Sequence, residues 1–153
     1  MSMLMPGVAS TPTKLLNQCK ENVYSSMWIH FLGCGEFNQG AKYLHRIENG
    51  IEYYSTLGLL CAALFSGFVG EWIPVELEDR TISRYLFQDI EQTFFLDQSV
   101  LDLVGLDISH QIYLSQLNDN GWSFKEIAQE IRDGFPSINK SSGIFIPSPP
   151  SLG

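Results

Sequence analysis

The chain is 153 residues long, a length that suits one domain of ordinary size. Hydrophobic residues make up 44% of it and charged residues 17%, which excludes wholesale disorder, collagen-like repeats and a coiled coil. Nine Lys and Arg against 17 Asp and Glu give a net charge of −8, and all of that net charge falls in residues 71–119, where ten acids face only Arg80 and Arg84. Such a surface repels a phosphate backbone and disfavours direct nucleic-acid binding. It reads either as a solvated face or as a patch for a basic partner, up to mimicry of a nucleic acid.

Residues 1–12 are small and polar, with Pro6 and Pro12, and read as a flexible arm. Met1–Thr13 has neither a basic start nor a long apolar run, so it does not read as a signal peptide. Thr11 can cap a helix that opens with Pro12. Apolar residues from Leu15 to Leu32 then recur every three to four positions, predicting an amphipathic helix over about Thr13–Leu32, stopped by Gly33 and Gly35. Asn49-Gly50 is the preferred pair for a type I′ turn and sits between two runs rich in aromatic and β-branched residues. A two-residue loop pairs Glu48 with Ile51, Arg46 with Tyr53 and His45 with Tyr54, and puts Tyr43, His45, Ile47 and Tyr54 on one face.

Tyr53–Gly70 carries no charge over 18 residues, the lower limit for a membrane span. Its polar residues, its glycines and the flanking Glu52 and Glu71 favour a strand end followed by a buried helix over Leu57–Ser66. Trp72–Val75, with Pro74 inside it, suggests an irregular or edge segment. Residues 77–98 fit a helix or a strand. Ser99 is the expected cap of a short helix ending at Gly105, and Ser109 of a helix through about Leu117. Asn118–Gly121 reads as a turn. Ser123 and Glu126 form a capping box for a last helix that Gly134-Phe135-Pro136 ends. Residues 136–153 read as a Pro- and Ser-rich tail.

Little in the chain marks chemistry. Cys19, Cys34 and Cys61 follow no disulfide or zinc spacing and read as reduced thiols. His30 and Cys34 are four apart, but no second ligand pair follows, so no metal is expected. GWSFKEIAQEI invites a helix-turn-helix reading, yet no second amphipathic helix follows it and the residues after it offer only Arg132 and Lys140 as bases. No phosphate-binding or metalloprotease motif is present, and no cofactor is expected. The aromatic residues around the hairpin fit strand packing. They also fit a stacking wall for a planar ligand, with Gln39, Lys42, Tyr43, His45 and Tyr54 as its binding residues.

Three pieces in order resemble a family of small proteins encoded in phages and prophages. They are Trp28…Leu32 with Gly35-Glu36-Phe37-Asn38-Gln39-Gly40, then Leu57-Gly58-Leu59-Leu60-Cys61, then Leu117-Asn118-Asp119-x-Gly121-x-Ser123-Phe124-x-Glu126-Ile127-Ala128. Where the family carries paired cysteines before Leu-Gly, this chain has Ser55-Thr56. The resemblance implies an accessory protein in the cytoplasm of a bacterial host that sequesters or masks a host protein or a small ligand such as a signalling nucleotide, in the manner of counter-defence. The expectation is therefore a single α+β domain over residues 13–135: an N-terminal helix, a central hairpin and packed helices, with a binding function and no catalytic residue. The alternatives are an enzyme using His45 or His110 as base, and an acidic nucleic-acid mimic. No membrane contact is expected, and a homo-oligomer is left open.

Overall fold

The computed structural model describes residues 21–136 and 148–152, so the predicted arm, the Thr11–Pro12 cap, helix positions Thr13–Lys20 and most of the predicted tail lie outside the described residues. The rest forms one small α+β domain in which a six-stranded mixed sheet is backed by helices.

Helix α1 runs over Val23–Gly33. The apolar period predicted continuity through residues 21 and 22, but the Asn22 carboxamide accepts from the amides of Tyr24 and Ser25, and Ser25 Oγ accepts from Asn22 N–H. This capping box fixes a start at Val23. Ser25, Trp28, Ile29 and Leu32 form the buried stripe, and Trp28 Nε1 donates to Thr56 O at 2.9 Å.

Strand β1 is the short Asn38–Gln39. The hairpin follows as β2 (His45–Glu48) and β3 (Ile51–Tyr54), in the register the Asn49-Gly50 pair predicts, with φ of 54° and 79° at the two turn residues. Helix α2 (Thr56–Ser66) is buried along nearly its whole length, so the uncharged stretch is a strand end and an 11-residue helix. Among the described residues no helix is long and apolar enough to cross a membrane.

The stretch that sequence left ambiguous is sheet. Strand β4 (Glu71–Glu76) lies at the edge, as Pro74 suggests, and pairs with β5 (Thr81–Phe87), which also pairs with β2 and with β6 (Ile90–Gln92). The order is β1-β3-β2-β5-β4, with β1 parallel to β3. The β5–β6 loop has Gln88 and Asp89 at φ of 50° and 66°, a left-handed pair written without Gly or Asn, and so it carries no turn signature.

Two expected caps are one turn-start away from the observed ones. Asp97, not Ser99, caps α3 (Gln98–Leu101), which continues as a 3₁₀ turn to Val104 and stops at Gly105. Asp107, not Ser109, caps α4 (Ile108–Asp119). In each case the serine hydroxyl donates to the capping aspartate instead. Helix α5 (Phe124–Arg132) has the expected Ser123–Glu126 box. Pro150–Leu152 of the predicted tail forms a 3₁₀ turn, and Ser151 N–H donates to Glu126 Oε2 at 2.7 Å. The core lies between sheet and helices: α1 packs on α2 and α5, α4 packs on both of those, and Tyr85, Trp72 and Tyr54 reach into the cluster from the sheet.

Candidate functional site

The five residues expected to bind a ligand are divided by the structure among three places. Gln39 is held in a seam. Its Nε2 donates to Asn118 Oδ1 and to Trp122 O, and its Oε1 accepts from Phe124 N–H at 2.9 Å. Asn118 Oδ1 also accepts from Thr56 Oγ1 at 2.8 Å, and Asn118 Nδ2 donates to Gly40 O at 2.8 Å. The network ties β1 to the start of α2 and to the α4–α5 turn. With its hydrogen bonds made inside the protein, Gln39 is a structural residue.

His45 and Tyr54 lie together on the helix-facing side of the sheet. His45 Nδ1 is 2.8 Å from Ser83 Oγ and its Nε2 is 2.7 Å from Glu52 Oε2, while its ring packs on Tyr54 and Trp72. Burial, then the Glu52 charge and the hydrogen bond to it, pushes the Tyr54 hydroxyl up to about 12. A serine–histidine–carboxylate chain invites a hydrolytic reading. However, Ser83 is 6% exposed in the middle of the sheet, so its hydroxyl meets His45 and not a substrate. The arrangement joins three strands through polar side chains and engages both ring nitrogens of His45.

Lys42 and Tyr43 lie elsewhere, at a groove. Lys42 takes φ of 74°, a left-handed conformation that costs a Cβ-bearing residue about 1–2 kcal/mol. The chain bends there, so Tyr43 precedes the strand and its ring stacks on Phe94 at 5.3 Å, away from His45. The Lys42 ammonium sits 5.3 Å from the Tyr43 ring and 5.9 Å from the Phe94 ring. The groove is open, with a volume of 640 Å³, and is lined by Ala41, Lys42, Phe94, Phe95, Ser115 and Asp119. At its base it narrows onto Ser55, Thr56 and Asn118, where it meets the seam.

Two buried glutamines fix the groove's aromatic wall. Gln111 on α4 accepts from Leu96 N–H and donates to Leu96 O, engaging both backbone polar groups of one residue. Gln92 Oε1 accepts from Asp97 N–H at 2.7 Å, and Leu44 N–H donates to Thr93 O at 2.9 Å. Residues 93–97 are thereby strapped to α4 on one side and to the Lys42 bend on the other. Phe94 and Phe95 remain 42% and 52% exposed, side by side on this hydrogen-bonded strap and at the edge of the groove. Phe94, Phe95, Ser115, Asp119 and the two glutamines were not found from sequence. The Phe94-Phe95 doublet was the available signal, hidden in the stretch whose structure the pattern left open.

Among the described residues no group of three or more His, Cys, Asp or Glu is placed to hold a metal ion. Cys61 is fully buried, which pushes its thiol well above the usual range, and its neighbours Ser55 and Thr56 serve the α2 cap and the seam. Comparison with protein-family models, with curated proteins and with solved structures finds no match for the chain.

Proposed function

We propose that this chain is a non-catalytic binding protein of the phage accessory type. It would act in the cytoplasm of a bacterial host by masking a host factor, and the groove between the Lys42 bend, the Phe94–Phe95 strap and α4 is where it takes hold. The observation that carries the reading is the pair of half-exposed phenylalanines held rigidly beside an open groove of 640 Å³. The left-handed Lys42 supports it, because backbone strain of this kind gathers at functional sites and the bend it makes forms one wall. Lys42 and Asp119 share the groove, so it presents both signs of charge around an apolar centre. That pattern suits an apolar or aromatic group with polar edges better than a phosphate.

The test is a neutral solvatochromic dye such as Nile red, titrated against the protein. Blue-shifted, saturable emission that Phe95→Ser reduces about tenfold in affinity, with the far-UV circular dichroism unchanged, supports the groove. Saturable emission that is the same in wild type and Phe95→Ser overturns it.

A further inference from the structure

The groove does not end at Asp119. Ile108 and Ile112, each 45% exposed, stand at i and i+4 on α4, and Ser115 and Asp119 continue the same stripe at i+7 and i+11. The Gln111 clamp holds the strap against α4, Phe95 lines the groove with Ser115 and Asp119, and the two isoleucines extend that stripe along one helix face about 16 Å long. Lys42 stands at its Phe94 end, and the remaining charge along it is negative. From Tyr85 to Phe124 the chain has no Lys or Arg and carries Asp89, Glu91, Asp97, Asp102, Asp107 and Asp119. Asp107 and Asp119 stand at the two ends of the α4 stripe, and Asp97 closes the strap. The hydrogen bonds of Ser99 and Ser109 hold the Asp97 and Asp107 carboxyls below the usual carboxylate range, so they are charged at neutral pH.

An apolar ledge rimmed by fixed negative charge selects its occupant. An acidic or phosphorylated partner meets repulsion, and a neutral apolar one leaves the rim unpaired. We infer that the ledge formed by Phe95, Ile108 and Ile112 docks a cationic amphipathic segment of a partner protein, with aliphatic side chains on the ledge and Lys or Arg over the aspartates. This rests on the binding role proposed above and names the partner's chemistry. It gives Asp97, Asp107 and Asp119 a purpose beyond solubility.

The experiment uses the full chain and three synthetic helices of about 14 residues, a length that matches the ledge. One has a leucine face with lysines on the other side. The second replaces every lysine by glutamate, and the third replaces every leucine by serine. Fluorescence anisotropy reads binding at about 50 and about 300 mM salt. The expected result is binding of the leucine–lysine helix alone, weaker at the higher salt. Phe95→Ser and Ile112→Ser should each lower its affinity about tenfold, while Phe68→Ser, at a 96% exposed phenylalanine elsewhere, changes nothing.

Equal binding of the glutamate or serine helix overturns the inference. So does indifference to Phe95→Ser and Ile112→Ser, or an equal loss with Phe68→Ser. If Nile red binds the groove and no peptide does, this inference falls while the binding role stands. If neither binds, both fall.

Discussion

Gln39 and Lys42 are three residues apart in the chain and serve opposite ends. The Gln39 side chain is hydrogen-bonded through both its nitrogen and its oxygen, and the seam it makes with Asn118 joins the sheet edge to two helices. The Lys42 ammonium rests on two aromatic rings at the mouth of a groove whose phenylalanines stay half in water. Both are polar residues beside aromatic ones, and sequence offers no means of separating them. What separates them is satisfaction: a polar side chain with its hydrogen bonds made inside the fold has nothing left for a ligand, and an apolar one already buried has no surface to offer.

The substitution with the largest expected effect breaks both regions at once. A Cβ at Gly58 would stand 1.7 Å from Leu44 O, a backbone atom that cannot swing aside. The same carbonyl accepts from Ser55 N–H, so α2 is seated directly on the residue that follows the Lys42–Tyr43 bend. Gly58→Ala should cost about 3 kcal/mol or more and leave little folded protein, read by urea denaturation. A cost below about 1 kcal/mol would mean that α2 moves freely against the bend and that the two regions are not mechanically joined.

Next in size, Asn118→Leu tests the seam alone. It removes the acceptor of Gln39 and Thr56 and the donor to Gly40, leaving part-buried partners unsatisfied. The expected loss is about 2–4 kcal/mol by denaturation, with dye binding by the remaining folded fraction unchanged. Loss of dye binding at unchanged stability would transfer Asn118 from the seam to the site.

The hairpin register, the buried α2 and the Ser123 box were legible because each rests on a local rule: a left-handed pair at Asn49-Gly50, an uninterrupted apolar run, a serine three residues before a glutamate. The β5–β6 turn was not, because Gln88 and Asp89 hold left-handed conformations that tertiary packing enforces and their identities do not announce. With that turn unseen, Phe94-Phe95 had no place in the fold and the groove could not be drawn. Most residues that carry the resemblance to phage proteins turn out to be core or seam: Trp28, Leu32, Leu57, Leu59, Leu60, Cys61, Leu117, Ile127 and Ala128 are buried, and Gln39, Gly40 and Asn118 share one network. These residues thus serve the packing of this chain. Of the groove residues, Phe94, Phe95 and Ser115 stand outside the motif and Asp119 within it.

A smaller effect concerns the caps that border the ledge. Hydrogen bonds from Ser109 and from His110 N–H depress the Asp107 carboxyl below its ordinary 3.8, and Glu126, bonded by the Ser123 and Ser151 amides, lies below its ordinary 4.5. A folded-state value below the unfolded one means that the folded protein binds fewer protons. The stabilisation is therefore present above the ordinary value and is lost as pH falls through the folded one. Asp107→Asn keeps a capping oxygen but removes the charge, so melting curves should show a shallower decline below about pH 4 and little change at neutral pH. An unchanged acid decline would show that Asp107 contributes through geometry alone. Ledge binding by the leucine–lysine helix should weaken in the same variant at neutral pH, since one rim charge is gone.

The smallest expected effect on stability is the most telling about the groove. Phe95 is 52% exposed, so truncating it uncovers little surface that folding had removed from water, and Phe95→Ser should leave the denaturation midpoint within about 0.5 kcal/mol of wild type. Phe94→Ser should cost somewhat more, about 0.5–1.5 kcal/mol, because that ring stacks on Tyr43 at 5.3 Å and lies under the Lys42 ammonium. The ordering matters more than either value. Gln92 and Gln111 are both buried and hold the strap, so the fold places buried polar groups behind a segment whose most exposed ring is expected to add little to stability. A midpoint within that range would leave the placement of the ring without a purpose in folding, as the proposed groove requires. Should Phe95→Ser instead cost more than about 1.5 kcal/mol, the ring is part of the packing. The groove would then be the ragged margin of the core, and the contrast between Gln39 and Lys42 would lose its functional meaning.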